Sequence, residues 1–138
     1  MLSHKYQKRV RYGETDQMGY LYYGNYAQYY EIGRVEFLRS LGLTYKALEE
    51  EYKVMMPVKN MEVRYLRPAK YDDLLTIKTI LKSISDKDIF FFVEIYNEDE
   101  KIVNGAKIRL NFIDAATKKS IPTPAILLEK LTTPRETV

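Results

Sequence analysis

Residues 25–42 read NYAQYYEIGRVEFLRSLG, and this stretch decides the fold. Tyr26, Tyr30, Gly33, Phe37 and Leu41 recur every three to four positions, which lines them along one stripe of a helix. Charged Glu31, Arg34, Glu36 and Arg39 take the other sides. Asn25 is the expected N-cap, with its side-chain oxygen accepting a free backbone N–H, and Gly42 is the expected stop. The span predicts a helix of about four turns. A glycine inside the buried stripe costs about 0.5–1 kcal/mol relative to Ala, so Gly33 predicts a close approach of backbone to a sheet.

The periodicity changes on either side. Residues 6–12 alternate Val10 and Tyr12 with Arg9 and Arg11, the period of two expected of a half-buried strand, and stop at Gly13. Residues 44–52 predict a second, short helix, closed off by Pro57. Four strands follow, over 58–66, 74–84, 89–96 and 102–113, with Pro68 and the pair Asp72, Asp73 making the first turn. The later connections, Ser85-Asp86-Lys87 and Asn97-Glu98-Asp99-Glu100, are short and polar, as in antiparallel hairpins. Ile89, Phe91, Val93 and Ile95 share one face, while Phe90 and Phe92 load the other. That pattern predicts cover on both sides, by the helix and by a partner subunit. Pro122, Pro124 and Pro134 flank a short apolar turn at 125–131.

A strand, a long helix and a run of antiparallel strands make an α+β plan with the helix on one sheet face. One helix covers only part of such a sheet, so dimerisation is expected to complete an edge or cover the remainder.

With 138 residues the chain has the size of a single domain, 1–138. Lys and Arg number 22 against 19 acidic residues, and the net charge of +3 is scattered. That distribution argues against a nucleic-acid groove but suits a small polyanion held by a few cations at a pocket mouth. There is no Cys, hence no disulfide, thiolate nucleophile or cysteine metal site. This fits a reducing compartment, and the cytoplasm is the expected location. No window approaches the roughly 20 apolar residues of a membrane span, and the first residues carry no secretory pattern.

Catalytic candidates are few. His4, the single His, reads as an exposed residue of a frayed terminus. Without a partner His, Ser and Thr cannot form the usual triad, and no metal-binding spacing is present. The segment 14–26, ETDQMGYLYYGNY, differs, because a carboxylate sits in an aromatic, Gly-punctuated loop leading into a helix start. Six of the 13 Tyr fall between Tyr20 and Tyr30. Such a loop can desolvate Asp16 while free N–H groups at the helix start face a developing negative charge. One such donor contributes about 3–4 kcal/mol to a transition state. The residues alone leave a second reading open, in which Asp16 caps a turn and the Tyr cluster is core.

The string from Asp16 to Tyr26, preceded by Val10-Arg11-Tyr12 and followed by Tyr29-Tyr30-Glu31-Ile32-Gly33-Arg34, resembles the signature of hotdog thioesterases of the 4-hydroxybenzoyl-CoA thioesterase type. That group includes the acyl-CoA thioesterase associated with the Tol-Pal system. Residues 63–73, VRYLRPAKYDD, are similar to the family's Y-x-x-P-A-x-x-D-D segment. The resemblance covers most of the chain. It implies a curved antiparallel sheet wrapped around the long helix, and a site formed between two subunits of a homodimer or dimer of dimers.

It also implies Asp16 as the catalytic carboxylate, as nucleophile or general base, and the backbone N–H of Tyr23 as the donor polarising the thioester carbonyl. Many relatives carry His where this chain has Tyr23. The expected reaction is hydrolysis of an acyl-CoA to a free acid and CoA, with CoA as part of the substrate and no separate cofactor or metal. Gly19, Tyr22 and Tyr26 are expected to shape the acyl pocket, and Lys82 or Lys87 to meet the CoA phosphates. Glu31 reads as a solvated surface carboxylate. Two rivals stand: a hydratase or dehydratase of the same fold, which needs a His in the site, and an acyl-CoA-binding protein without catalysis.

Overall fold

The computed structural model describes residues 2–132; the expectation for Pro134 lies outside them. The elements in order are β1 Ser3–Arg9, α1 Tyr26–Ser40, α2 Tyr45–Glu50, β2 Val54–Met55, β3 Val58–Tyr65, β4 Leu74–Ile84, β5 Asp88–Tyr96, β6 Ile102–Asn111, β7 Ile113–Asp114 and α3 Ala125–Thr132. Five strands form one antiparallel sheet in the order β1-β4-β5-β6-β3, and β2 pairs with β7. The consecutive trio β4-β5-β6 is the expected meander. β1 and β3 occupy the two edges, so the connection after β3 must cross the sheet end to reach β4.

The helix forms where the periodicity placed it, and its stripe packs on the sheet, with Phe37 meeting Phe91 at a ring separation of 5.6 Å. Gly33 sits over β4 so closely that an added methyl would lie 2.5 Å from Thr79 Oγ1 and 2.8 Å from Ile77 Cγ2. The expected close approach is therefore real. Gly42, at φ +82°, turns the chain out of the helix, and the N–H of Leu43 returns to the carbonyl of Leu38 at 3.0 Å. Ile89, Phe91, Val93 and Ile95 are all buried against the helix side. On the other face Arg109 spreads over Phe90 at 4.4 Å, and Lys82 and Lys107 over Phe92 at 4.7 and 5.2 Å. The chain's own cationic head groups thus lie over these rings.

Several expectations need correction. The first strand is Ser3–Arg9, not 6–12, because Tyr12–Glu14 folds into a single 3-10 turn. His4 consequently lies inside a strand, opposite Thr79, rather than in a frayed end. Asn25 does not cap the helix with its oxygen; its amide donates instead to the carbonyl of Glu14 at 2.9 Å. Arg34 is buried at 6% exposure, covered by α2, where its Nε meets the Tyr45 hydroxyl at 3.4 Å. Strand 102–113 breaks at Phe112: the N–H of Asn111 still reaches the carbonyl of Pro57 at 3.0 Å, but Pro57 has no N–H to continue the ladder, and Ile113–Asp114 pairs with β2. The tail turn is a helix, α3.

Candidate functional site

The loop carrying Asp16 is built by backbone hydrogen bonds. The N–H of Asp16 donates to the carbonyl of Tyr20 at 2.8 Å, and that of Gly19 to the carbonyl of Asp16 at 3.0 Å. Gly19 takes φ +79°, a conformation that side chains rarely adopt. Inside this turn Asp16 Oδ1 accepts the N–H of Met18 at 2.9 Å and of Tyr20 at 3.2 Å. Among the described residues no donor reaches Oδ2, so one oxygen is fixed and the other is available.

The crossover between β3 and β4 holds the loop in place. Leu21 N–H donates to the carbonyl of Ala69 at 2.7 Å, Tyr71 N–H to Gly19 at 3.3 Å, and Val10 and Asp73 bond at 2.9 Å. Pro68-Ala69-Lys70 therefore positions the site as well as turning the chain. Ala69 is fully buried beneath the loop.

Glu14 ties the loop to the helix. Its Oε1 accepts from Lys8 Nζ at 2.9 Å, from Arg11 N–H at 2.8 Å and from the Tyr29 hydroxyl at 2.8 Å. Its carbonyl takes Tyr22 N–H and the Asn25 amide, both at 2.9 Å. Burial pushes the Glu14 carboxyl up, but the Arg11 N–H, the Lys8 ammonium and the Tyr29 hydroxyl outweigh it, and the net shift is down. Burial, then Glu14, pushes the Tyr29 hydroxyl up. Periodicity does not mark Glu14; its place two positions before Asp16 in the same loop is the sequence signal that points to it.

Asp16, Tyr23, Tyr26, Tyr65 and Arg67 line one pocket of about 300 Å³. Tyr23 opens a 3-10 turn ahead of α1, and among the described residues its backbone N–H has no protein acceptor. Its ring is exposed and packs against Tyr22 and, edge-on, Tyr65 at 6.3 Å. Burial, with a smaller contribution from Tyr65, pushes the Tyr26 hydroxyl up to about 12, so Tyr26 stays protonated at neutral pH.

The other expected contacts fall elsewhere in the chain. Tyr22 lies beside the pocket, its ring over Gly24, where an added methyl would meet it at 2.7 Å. Lys82 lies on the outer sheet face over Phe92. Lys87 lines a separate pocket of about 180 Å³ with Asp88 and Ser120. The cation at the Asp16 pocket is Arg67, anchored by Nη1 on the carbonyl of Ile102 at 2.8 Å. Glu31 is exposed on α1, and His4, on β1, is not among the residues lining this pocket. No three His, Cys, Asp or Glu side chains gather for a metal among the described residues.

A sequence profile of the thioesterase-like superfamily matches residues 10–131. The acyl-CoA thioester hydrolase YbgC of Escherichia coli O6:H1 is 33% identical over 116 residues, 84% of this chain and 86% of that protein. A probable thioesterase from Bartonella henselae superposes with a TM-score of 0.84 at 32% identity, over 89% of this chain and all 100% of the other. A DHNA-CoA thioesterase from Staphylococcus aureus gives 0.85 at 28% identity, over 95% of this chain and 84% of that one.

Proposed function

Because this chain belongs to the thioesterase-like superfamily, we propose that it hydrolyses acyl-CoA thioesters to a free acid and CoA, with Asp16 as the catalytic carboxylate. One observation carries the assignment: Asp16 is pinned through Oδ1 by two backbone N–H groups and keeps Oδ2 without a protein donor, in the same pocket as Tyr23. A carboxylate so held is oriented for attack without spending the oxygen that attacks.

Two routes fit this geometry. In one, Oδ2 bonds to the thioester carbon, the C–S bond breaks, the CoA thiolate leaves, and water cleaves the resulting mixed anhydride. In the other, Asp16 takes a proton from water as the oxygen of that water adds to the carbonyl, and the thiolate leaves on collapse. In both, the carbonyl oxygen gains charge that the Tyr23 N–H can receive, worth about 3–4 kcal/mol. Tyr26, kept protonated by its burial, is a donor and a wall rather than a base.

Gly19 and Tyr22 belong to the site as supports, one for the turn and one for the Tyr23 ring. Arg67 is the cation placed to meet the phosphates of CoA at this pocket. Lys82 and Lys87 would have to meet them outside it. A homodimer, or a dimer of two such dimers, completes the reading. The edge strand β3 leaves Met61 and Tyr65 41% and 56% exposed, and a second subunit would cover them and desolvate Asp16. Residues 1–138 would act as one thioesterase domain in the cytoplasm; among the described residues no helix is long and apolar enough to cross a membrane.

Free-thiol release from short, long and aromatic acyl-CoAs tests the activity. Release from at least one class supports it. Binding of acyl-CoA with no release from any of them would replace it with the reading of a binding protein.

A further inference from the structure

Residues 14–22 form a small hairpin. Tyr22 N–H donates to the carbonyl of Glu14 at 2.9 Å and Asp16 N–H to that of Tyr20 at 2.8 Å, with Thr15 and Leu21 paired between them. One arm carries Asp16. The other runs directly into the turn Tyr23–Asn25 that opens α1. The Asp16 carboxylate and the Tyr23 N–H thus belong to opposite arms, and whatever ties the arms together beyond Tyr22 sets their separation.

Asn25 supplies that tie. At φ −89° and ψ −10° its backbone is already helical, and its side chain makes no capping bond. Instead Nδ2 reaches back to the Glu14 carbonyl at 2.9 Å, while the Asn25 backbone N–H donates to the carbonyl of Tyr22 at 2.9 Å. One Glu14 oxygen therefore accepts from both Tyr22 and Asn25, using both of its lone pairs. Tyr23 and Gly24 lie between these two donors, so the segment bearing the Tyr23 N–H is closed at both ends on the arm that carries Asp16. The anchor itself is held, because the Glu14 side chain is bonded by Lys8 and Tyr29. An Asp would suit the start of a helix as well as Asn, but an ionised Asp cannot donate to a carbonyl. The donor is what this position uses.

Resting on the thioesterase reading, we propose that Asn25 is a positioning residue for the reaction, whose amide fixes the Tyr23 N–H relative to the Asp16 carboxylate. Asn25 is not among the residues that line the pocket, so it acts through Tyr23 and not on the substrate. Without its bond the Tyr23 turn is held on the hairpin by Tyr22 alone. A shift of about 1 Å there leaves binding of CoA intact but misplaces the donor for the charge that develops on the carbonyl oxygen.

The test is steady-state thiol release from the best acyl-CoA by the unaltered protein, Asn25→Asp and Asn25→Ser, with thermal midpoints on the same samples. Asp and Ser serve at a helix start as well as Asn, so a residue needed only to begin the helix tolerates both. At about pH 8, where the new carboxyl is ionised, Asn25→Asp should keep its thermal midpoint, lose kcat by at least about tenfold and hold KM within about threefold. The ratio of its kcat to that of the unaltered protein should climb as the pH falls toward about 5, because a protonated carboxyl again donates to the Glu14 carbonyl. Taking the ratio removes the titration of Asp16, which both proteins share. Asn25→Ser, too short to reach and with no proton to gain, should lose kcat at every pH alike. Unimpaired kcat in the variants, an Asn25→Asp ratio flat with pH, or a loss of activity matched by a lowered thermal midpoint would each overturn the proposal. No thiol release by the unaltered protein from any acyl-CoA is a different failure, which removes the parent reading and this proposal with it.

Discussion

The backbone N–H of Leu21 and the carbonyl of Ala69 meet at 2.7 Å, and this bond joins the loop carrying Asp16 to the crossover between β3 and β4. Strand order makes it possible: β3 lies beyond β6 while β4 lies beside β1, so the connecting chain has to pass the end of the sheet where the loop sits. Ala69 is fully buried there. Ala69→Leu should cost about 1–3 kcal/mol through overpacking, and should lower kcat beyond what the unfolded fraction explains, because the loop moves with it. Denaturant midpoints and turnover measured on the same samples check both parts.

Gly33→Ala sets two effects against one another. Alanine improves helix propensity by up to about 1 kcal/mol, but its methyl would lie 2.5 Å from Thr79 Oγ1 and 2.8 Å from Ile77 Cγ2. The clash should win, with a net loss of about 1–3 kcal/mol. Adding Thr79→Ala should recover part of that loss, since the sites touch and are not additive. Urea unfolding of the two single variants and the double variant measures the coupling.

Glu14 gives the fold a dependence on acid. Its folded-state pKa lies below the ordinary value of 4.5, so its contribution is fully present above about pH 4.5 and is lost as the pH falls through the depressed folded value. Glu14→Gln removes the charge that Lys8, Arg11 and Tyr29 all donate to. It should cost about 1–3 kcal/mol at pH 7 and show a shallower loss of thermal midpoint below pH 4.5 than the unaltered chain. Melting curves of both proteins from pH 3 to pH 7, sampled at roughly half-unit steps, follow the difference.

The elements that local periodicity could reach were legible: α1 with its Gly33 contact and Gly42 stop, and the hairpins joining β4, β5 and β6. Nonlocal features were not. Nothing around Val58 says that β3 will pair with β6 instead of β4, and Arg34 looks solvated until Tyr45 of α2 folds over it. Asp16 stood out for its loop and for the shortage of rivals, but its hydrogen-bonded Oδ1 depends on a turn that only the coordinates show. Arg67 does not stand out as a site residue because its place at the pocket depends on the carbonyl of Ile102, distant in sequence. Lys82 suggests itself by its place beside a hairpin turn, whereas its ammonium lies over the Phe92 ring on the outer sheet face.

The central claim is that Asp16 does the chemistry, and the measurement that tests it most directly is kcat/KM for Asp16→Asn on the best acyl-CoA substrate, alongside its thermal midpoint and its affinity for CoA. Asparagine keeps an oxygen for the N–H groups of Met18 and Tyr20, so the turn, the fold and CoA binding should persist. Turnover should fall at least about a hundredfold, the range for removal of a positioned acid–base or nucleophilic group. A folded Asp16→Asn protein turning over at a rate near that of the unaltered chain would contradict the assignment.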